Sequence, residues 1–290
     1  MGNSSDEESD DENNTKAKKI IPINDNNLDK NNFGAKPVVD TIKKEKKNLK
    51  LIEDNIIKMQ MIFTKEDVNK PTKILYNINE MISGCDLKEL NESNTELYIN
   101  GKQYKYKSYF SPDKIGIYDI QLHLNFLMKN CCCLFYGLPN LINIDLSAFN
   151  TRNVTNMSYM FYQCRNLQSL NLASFNTEKV TDMSNMFYDC HKLQSLDLSS
   201  FNTQKVNNMN NMFYGCYRLE NLDLSSFNTK NVKIMNYMFA QCFNLQSLDL
   251  SSFNINNVSF MSYMFYDCNN LQILDLSSMI SQKSIDLKIK

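Results

Sequence analysis

LQSLDLSSFNTQKVNNMNNMFYGCYR, residues 193–218, is one copy of a pattern that returns every 26 residues without slip. Phe149, Phe175, Phe201, Phe227 and Phe253 keep that interval, as do Met157, Met183, Met209, Met235 and Met261. The pairs from Met160-Phe161 to Met264-Phe265 follow, then Cys164, Cys190, Cys216, Cys242 and Cys268, then Leu167, Leu193, Leu219, Leu245 and Leu271. A fixed period of this length marks a stacked or radially repeated architecture. The absence of insertions favours a stack, in which each unit lies on the one before. Within the quoted copy Leu196, Leu198 and Phe201 alternate with Ser195 and Asp197, the period-two pattern of a strand with one side buried. That strand is too short to pair within its own unit, so its partner is the same strand of the next unit.

Further along the copy, Val206 and Met209 supply a second inward edge. Ser158, Ser184, Asn210, Asn236 and Ser262 occupy a helix N-cap position, and Met212, Phe213 and Cys216 fit one side of one or two helical turns. The reading is α/β: a leucine-rich-repeat-like right-handed solenoid with short parallel strands and short helices, preceded by a small β-rich domain. A column of Asn150, Asn176, Asn202, Asn228 and Asn254 reads as a ladder bonding turn groups from unit to unit. The turn preference of asparagine explains the column equally well.

Outward from the repeats, the chain divides into a charged tail over 1–48, a β-rich segment over 49–125 and the repeats over 126–290. Asp6 to Glu12 is acidic except for Ser9, and a lysine-rich, asparagine-rich stretch follows. Such a composition buries too little apolar area to offset the entropy of ordering, so disorder is expected. In the second segment Ile57, Met59, Met61 and Phe63 alternate as a strand does, residues 73–78 offer another strand, and Ile115 to Leu124 a last one. Asn100-Gly101 between Leu97-Tyr98-Ile99 and Gln103-Tyr104-Lys105-Tyr106 predicts a type I′ hairpin. Residues 81–90 suggest a short helix.

The repeat, Leu-Asp-Leu-Ser-Ser-Phe-Asn-Thr followed by Val, Met, Met-Phe and Cys, resembles the BspA-like leucine-rich repeat family over about residues 127–280. The resemblance implies an α/β leucine-rich solenoid acting in adhesion or protein binding. Members of that family on cell surfaces carry export signals. The first 30 residues here hold an acidic block where a signal peptide has a basic start and an apolar stretch.

Composition narrows the chemistry. The net formal charge is −1 in 290 residues, which gives no general attraction to nucleic acid. No run approaches the ~20 apolar residues of a membrane span. Seven Gly leave little material for phosphate-cradling loops, and nine Cys with two His argue against a large metal framework. His123 and His191 have no nucleophile near them in sequence. The expectation is a non-enzyme without cofactor or metal. One Cys per 26 residues is not a zinc spacing, and the column reads as small core hydrophobes. In Cys131-Cys132-Cys133 at least one residue faces the core. The column Asp197, Asp223, Asp249 and Asp275 reads either as a solvated strand face or as a calcium-attracting row.

The candidate partner surface is a tyrosine set: Tyr159, Tyr162, Tyr188, Tyr214, Tyr217, Tyr237, Tyr263 and Tyr266. Tyrosine brings contact area at low side-chain entropy cost, which suits protein recognition. The plainer alternative is that each ring packs over its neighbour as a ladder. At the N-terminus Gly2 opens a myristoylation-like stretch, with Asp6 where Ser or Thr is expected; weak peripheral membrane association is the corresponding expectation. Function reads as a non-catalytic protein-protein interaction scaffold with a cytoplasmic location, and the alternative as a cell-surface adhesion protein exported without a recognisable signal.

Overall fold

The structure, a computed structural model, describes residues 55–76, 85 and 87–280. Gly2, the tail at 1–48 and half of the helix read at 81–90 lie outside the described residues; of that helix, residues 87–90 form a turn instead. The elements are β1 (Ile56–Phe63), β2 (Thr72–Lys73), β3 (Thr95–Ile99), β4 (Lys102–Tyr104), β5 (Tyr109–Phe110), β6 (Gly116–Leu124), β7 (Leu141–Asp145), β8 (Ser169–Asn171), β9 (Ser247–Asp249), β10 (Ile273–Asp275) and α1 (Ser277–Ile280). Of the strand read over 73–78, Lys73 lies in β2, residues 74–76 are not strand, and 77–78 lie outside the described residues.

Alternation in β1 places Ile57, Met59, Met61 and Phe63 in the core. Asn100 and Gly101 both take positive φ, 50° and 77°, the geometry a two-residue type I′ loop requires. They pair Ile99 with Lys102 across the β3–β4 hairpin. The main sheet runs β4-β3-β6-β1-β7-β8. β1 pairs antiparallel with β6 on one side and with β7 on the other, and β7 pairs parallel with β8. The first repeat strand is thus hydrogen-bonded to the segment before it, which covers an edge that would otherwise be open to another chain.

The expected α/β solenoid, right-handed and leucine-rich-repeat-like with short helices, is overturned. Among the described residues the only helix is α1, four residues long, and the sheets are a mixed six-stranded one and two small pairs. The stretches read as helices are successions of turns. Two residues in each carry left-handed φ: Tyr159 and Gln163, Asn185 and Asp189, Asn211 and Gly215, Tyr237 and Gln241, Tyr263 and Asp267. A right-handed helix cannot pass through such residues.

The hydrogen bonds supply the reason. Alternate N–H groups reach the next unit: Met157 donates to Asp182 O, Tyr159 to Ser184 O, Phe161 to Met186 O and Gln163 to Tyr188 O, at 2.7–3.0 Å. Those between, Met160, Tyr162 and Cys164, donate back three residues, at 3.1–3.3 Å. A helix would direct these donors to carbonyls four residues back; the turns direct half of them across the stack instead.

Regular strands are also sparser than expected. The quoted copy, 193–218, contains none, although Leu196, Leu198 and Phe201 are buried and Ser195 and Asp197 exposed as read. Stacked Tyr136, Tyr162, Tyr188 and Tyr214 are 4.6–4.8 Å apart. Phe135, Phe161, Phe187, Phe213, Phe239 and Phe265 are 5.3–5.7 Å apart, and Phe149, Phe175, Phe201 and Phe227 are 6.0–6.5 Å apart. At the leucine edge the backbone ladder is intermittent: β7 pairs with β8 and β9 with β10, while single bonds such as Glu220 N–H to Gln194 O at 3.3 Å and Gln246 N–H to Glu220 O at 3.2 Å join the units between. There the hydroxyls of Ser174, Ser200 and Ser226 bridge to Leu146 O, Leu172 O and Leu198 O of the preceding unit at 2.7–3.1 Å.

The inter-unit ladder beside the phenylalanine column runs through threonine. Thr177 Oγ1 donates to Asn202 O at 2.9 Å and accepts from Asn202 N–H at 2.8 Å; Thr151, Thr203 and Thr229 repeat the pair with Asn176, Asn228 and Asn254. All four threonines are buried. The side chains of Asn150, Asn176, Asn202, Asn228 and Asn254 stay within their own turns, each accepting the N–H two residues on at 3.0–3.2 Å. That is the turn role of asparagine; only the backbone of the column joins the ladder, through the threonines.

The cysteine column is core, as read. Cys164, Cys190, Cys216 and Cys242 are fully buried, and the thiols, with that of Cys268, donate to phenylalanine carbonyls one unit back at 3.0–3.2 Å. Burial pushes the Cys164 and Cys216 thiols up to about 12 from an ordinary 9.0, and Cys268, less covered, to about 11. Between pH 9 and those values the unfolded chain loses thiol protons that the folded chain keeps, so stability falls as pH rises through that window. The urea midpoint therefore drops between pH 8 and pH 10.5, and Cys216→Ala reduces the slope of that drop.

Candidate binding surface

The eight tyrosines fall into three adjacent columns. The first is Tyr136, Tyr162, Tyr188 and Tyr214, stacked within 16° of parallel, then Ala240 and Tyr266. Their unit-to-unit register follows from the turn hydrogen bonds, which fix each ring above its predecessor. Tyr159, Tyr237 and Tyr263 form the second, at left-handed positions otherwise held by Asn185 and Asn211, with Asn211 Nδ2 donating to Asn185 Oδ1 at 3.0 Å. Tyr237 stacks on Tyr263 at 5.1 Å and meets Tyr214 edge-on at 6.4 Å; Tyr266 meets Tyr263 edge-on at 6.1 Å. Tyr159 tilts against Tyr162 at 5.5 Å. Tyr217 belongs to the third column, between His191 at 4.1 Å and Phe243 at 4.9 Å.

These rings are half-buried, and Tyr266 is exposed. Ring faces are covered by neighbouring rings, so the edges and hydroxyls remain for contact. Burial, and after it the Asp189 carboxylate, raises the hydroxyls of Tyr162, Tyr188, Tyr214 and Tyr217 above the ordinary phenol range. They are neutral donors at every physiological pH.

Asp189 sits where the columns meet. Arg165 Nη2 lies 3.3 Å from Asp189 Oδ2, and His191 Nε2 lies 3.5 Å from Asp189 Oδ1 without hydrogen-bond geometry. In the next unit the place of Asp189 is taken by Gly215 (φ +69°), where a Cβ would run into the Asp189 carboxylate. Glycine there meets both the left-handed backbone and the close approach.

The aspartate column does not gather for a cation. Asp145, Asp197, Asp223, Asp249 and Asp275 each accept the serine N–H two residues on, at 2.8–3.0 Å. That bond holds Asp145, Asp197, Asp223 and Asp275 below the usual carboxylate range.

Sequence reasoning missed a second surface. On the exposed side of the main sheet a shallow groove of about 530 Å³ runs over β6, β1, β7 and β8 and is lined by amides and carboxylates. Gln60 Nε2 donates to Asp119 Oδ1 at 3.0 Å, Asn143 Nδ2 to Gln60 Oε1 at 2.8 Å and Asn171 Nδ2 to Asp145 Oδ1 at 3.2 Å. The polar members of β1 are visible as the outward half of its alternation. Their juxtaposition depends on the β1–β7 pairing, which no local pattern announces.

No helix among the described residues is long and apolar enough to cross a membrane. No curated protein and no solved structure shows a match to the chain. A family described as Mycoplasma protein of unknown function, DUF285, matches residues 126–196 and 192–287. The two segments hold the ring columns, the threonine ladder and the cysteine column, and together they span more than half of the sequence: the chain belongs to the DUF285 family.

Proposed function

We propose that this chain is a non-catalytic protein-binding scaffold, of the kind the BspA-like leucine-rich repeat resemblance implies, and that its partner lies along the tyrosine columns. The observation that carries the reading is the stack Tyr136–Tyr162–Tyr188–Tyr214, half-exposed and held ring on ring at 4.6–4.8 Å. Rings already ordered by one another lose little side-chain freedom on contact, which removes part of the cost of association. Aromatic edges with neutral hydroxyls offer apolar area and directed hydrogen bonds together, the mixture enriched at interface centres. His191, Tyr217 and Phe243 widen the strip by one column.

The test is affinity capture with the full chain as bait, beside a Tyr188→Ser/Tyr214→Ser double variant of matched thermal stability. Loss of the captured protein from the variant supports the reading, and equal capture removes it. Protease treatment of intact cells then places the partner inside the cell or on its surface.

A further inference from the structure

Three sulfur atoms that the tyrosine surface does not use are gathered at the start of the repeats. Cys85 and Cys132, 47 residues apart, form a disulfide. Cys133 Sγ lies 3.6 Å from Cys132 Sγ, and all three sulfurs lie within 4.8 Å of one another in buried surroundings. Neighbouring residues of an extended strand point to opposite sides. Here the left-handed turn at Cys133 (φ 63°), fixed by its N–H to Ser158 O at 3.1 Å, brings both side chains to one side. A disulfide joins two of these sulfurs and leaves the third beside them as a thiol.

A tetrahedral ion engages all three. With sulfur at ~2.3 Å from a zinc-class ion, the edge of the tetrahedron is about 3.8 Å, close to the Cys132–Cys133 separation. Ser158 Oγ, 3.2 Å from Cys132 Sγ and also 2.7 Å from Asn156 Oδ1, stands beside the group. Soft sulfur donors select zinc-class ions over calcium or magnesium, which take oxygen. We propose that in the reduced chain Cys85, Cys132 and Cys133 bind one soft divalent cation of the zinc class, and that this state and the Cys85–Cys132 disulfide exclude each other. A dithiol or phosphine reductant supplies the two electrons that break the S–S bond, giving two thiols and an oxidised reductant. Binding then forms three metal–sulfur bonds and releases three thiol protons to solvent. Three thiolates and one divalent ion leave a single negative charge; the one proton of the Ser158 hydroxyl has Asn156 Oδ1 at 2.7 Å and Cys132 Sγ at 3.2 Å as alternative acceptors, and the charged thiolate draws it toward sulfur.

Cadmium serves as the probe, because its bonds to thiolate absorb in the ultraviolet. The full chain, reduced with a phosphine and freed of it without oxygen, is titrated with Cd2+. The expected result is saturation at one ion per chain, with affinity at least about 10-fold lower in Cys133→Ser and in Cys85→Ser and unchanged in Cys190→Ser, within the repeat core. A second arm needs no variant: the oxidised chain, disulfide intact, is expected to give no such absorption until reduced. Equal titration of the wild type and Cys133→Ser, or equal binding by oxidised and reduced chain, overturns the proposal.

Discussion

Phe213→Ala lowers the free energy of unfolding by roughly 3–5 kcal/mol, read as a fall in the urea midpoint with unchanged slope. Phe213 is fully buried, with its ring 5.6 Å from that of Phe187 and 5.7 Å from that of Phe239, both within 6° of parallel. Truncation therefore opens a gap between two rings held by their own units. Collapse into that gap is opposed by the backbone bonds on either side, Phe187 N to Met212 O at 3.0 Å and Phe213 N to Met238 O at 2.9 Å, which fix the spacing. Phe213→Leu refills part of the volume and is expected to recover part of the loss. A change under about 1 kcal/mol for Phe213→Ala would mean that this column does not carry the core.

Thr203→Val has the second largest expected effect, a loss of about 1–3 kcal/mol. The side chain keeps its shape and loses one hydroxyl. That hydroxyl, on a fully buried side chain, donates to Asn228 O at 3.0 Å and accepts from Asn228 N–H at 2.7 Å. Removing it leaves a backbone donor and an acceptor without their partner, which costs more than the net worth of one bond. Thr203→Ser restores the hydroxyl and most of the stability. Asn202→Ala removes only the side-chain bond accepted from Gln204 N–H at an exposed turn, and its cost is expected to be smaller than that of Thr203→Val. The order of the two variants in chemical denaturation decides whether threonine or asparagine holds adjacent units together.

Much of the interior was legible in the sequence. Leu196, Leu198, Phe201, Val206, Met209, Phe213, Cys216 and Leu219 are all buried, as the 26-residue interval required. Asn100-Gly101 formed its hairpin because two left-handed positions in a row admit few other pairs. The helix reading failed for a definite reason. Met212, Phe213 and Cys216 point to one side at spacings that suit a helix and two successive turns alike, and local periodicity does not separate them. A discriminating signal was present in Asn185, Asp189, Asn211 and Gly215, residue types that accept left-handed φ. It was masked by Tyr159, Tyr237 and Tyr263 at equivalent places.

The threonine ladder was equally visible, since Thr follows Asn at 151, 177, 203 and 229, but the more polar asparagine beside it carries the stronger local signal for a ladder. For the tyrosines, the sequence placed them on the outside but did not separate one stripe from three columns, because which rings meet depends on the turn path. The meeting of Cys85 with Cys132 and Cys133 lay beyond local reading, since two distant segments produce it.

The hydrogen bonds across the stack join residues 24 to 29 positions apart, and most recur at the 26-residue interval. Cutting out one whole period, such as 193–218, presents every remaining donor with an acceptor of the same kind, whereas removing 25 or 27 residues misaligns all of them at the junction. A gene for such a protein is free to lengthen or shorten by unequal recombination at that one interval, so its descendants are expected to vary in repeat number more readily than in repeat size.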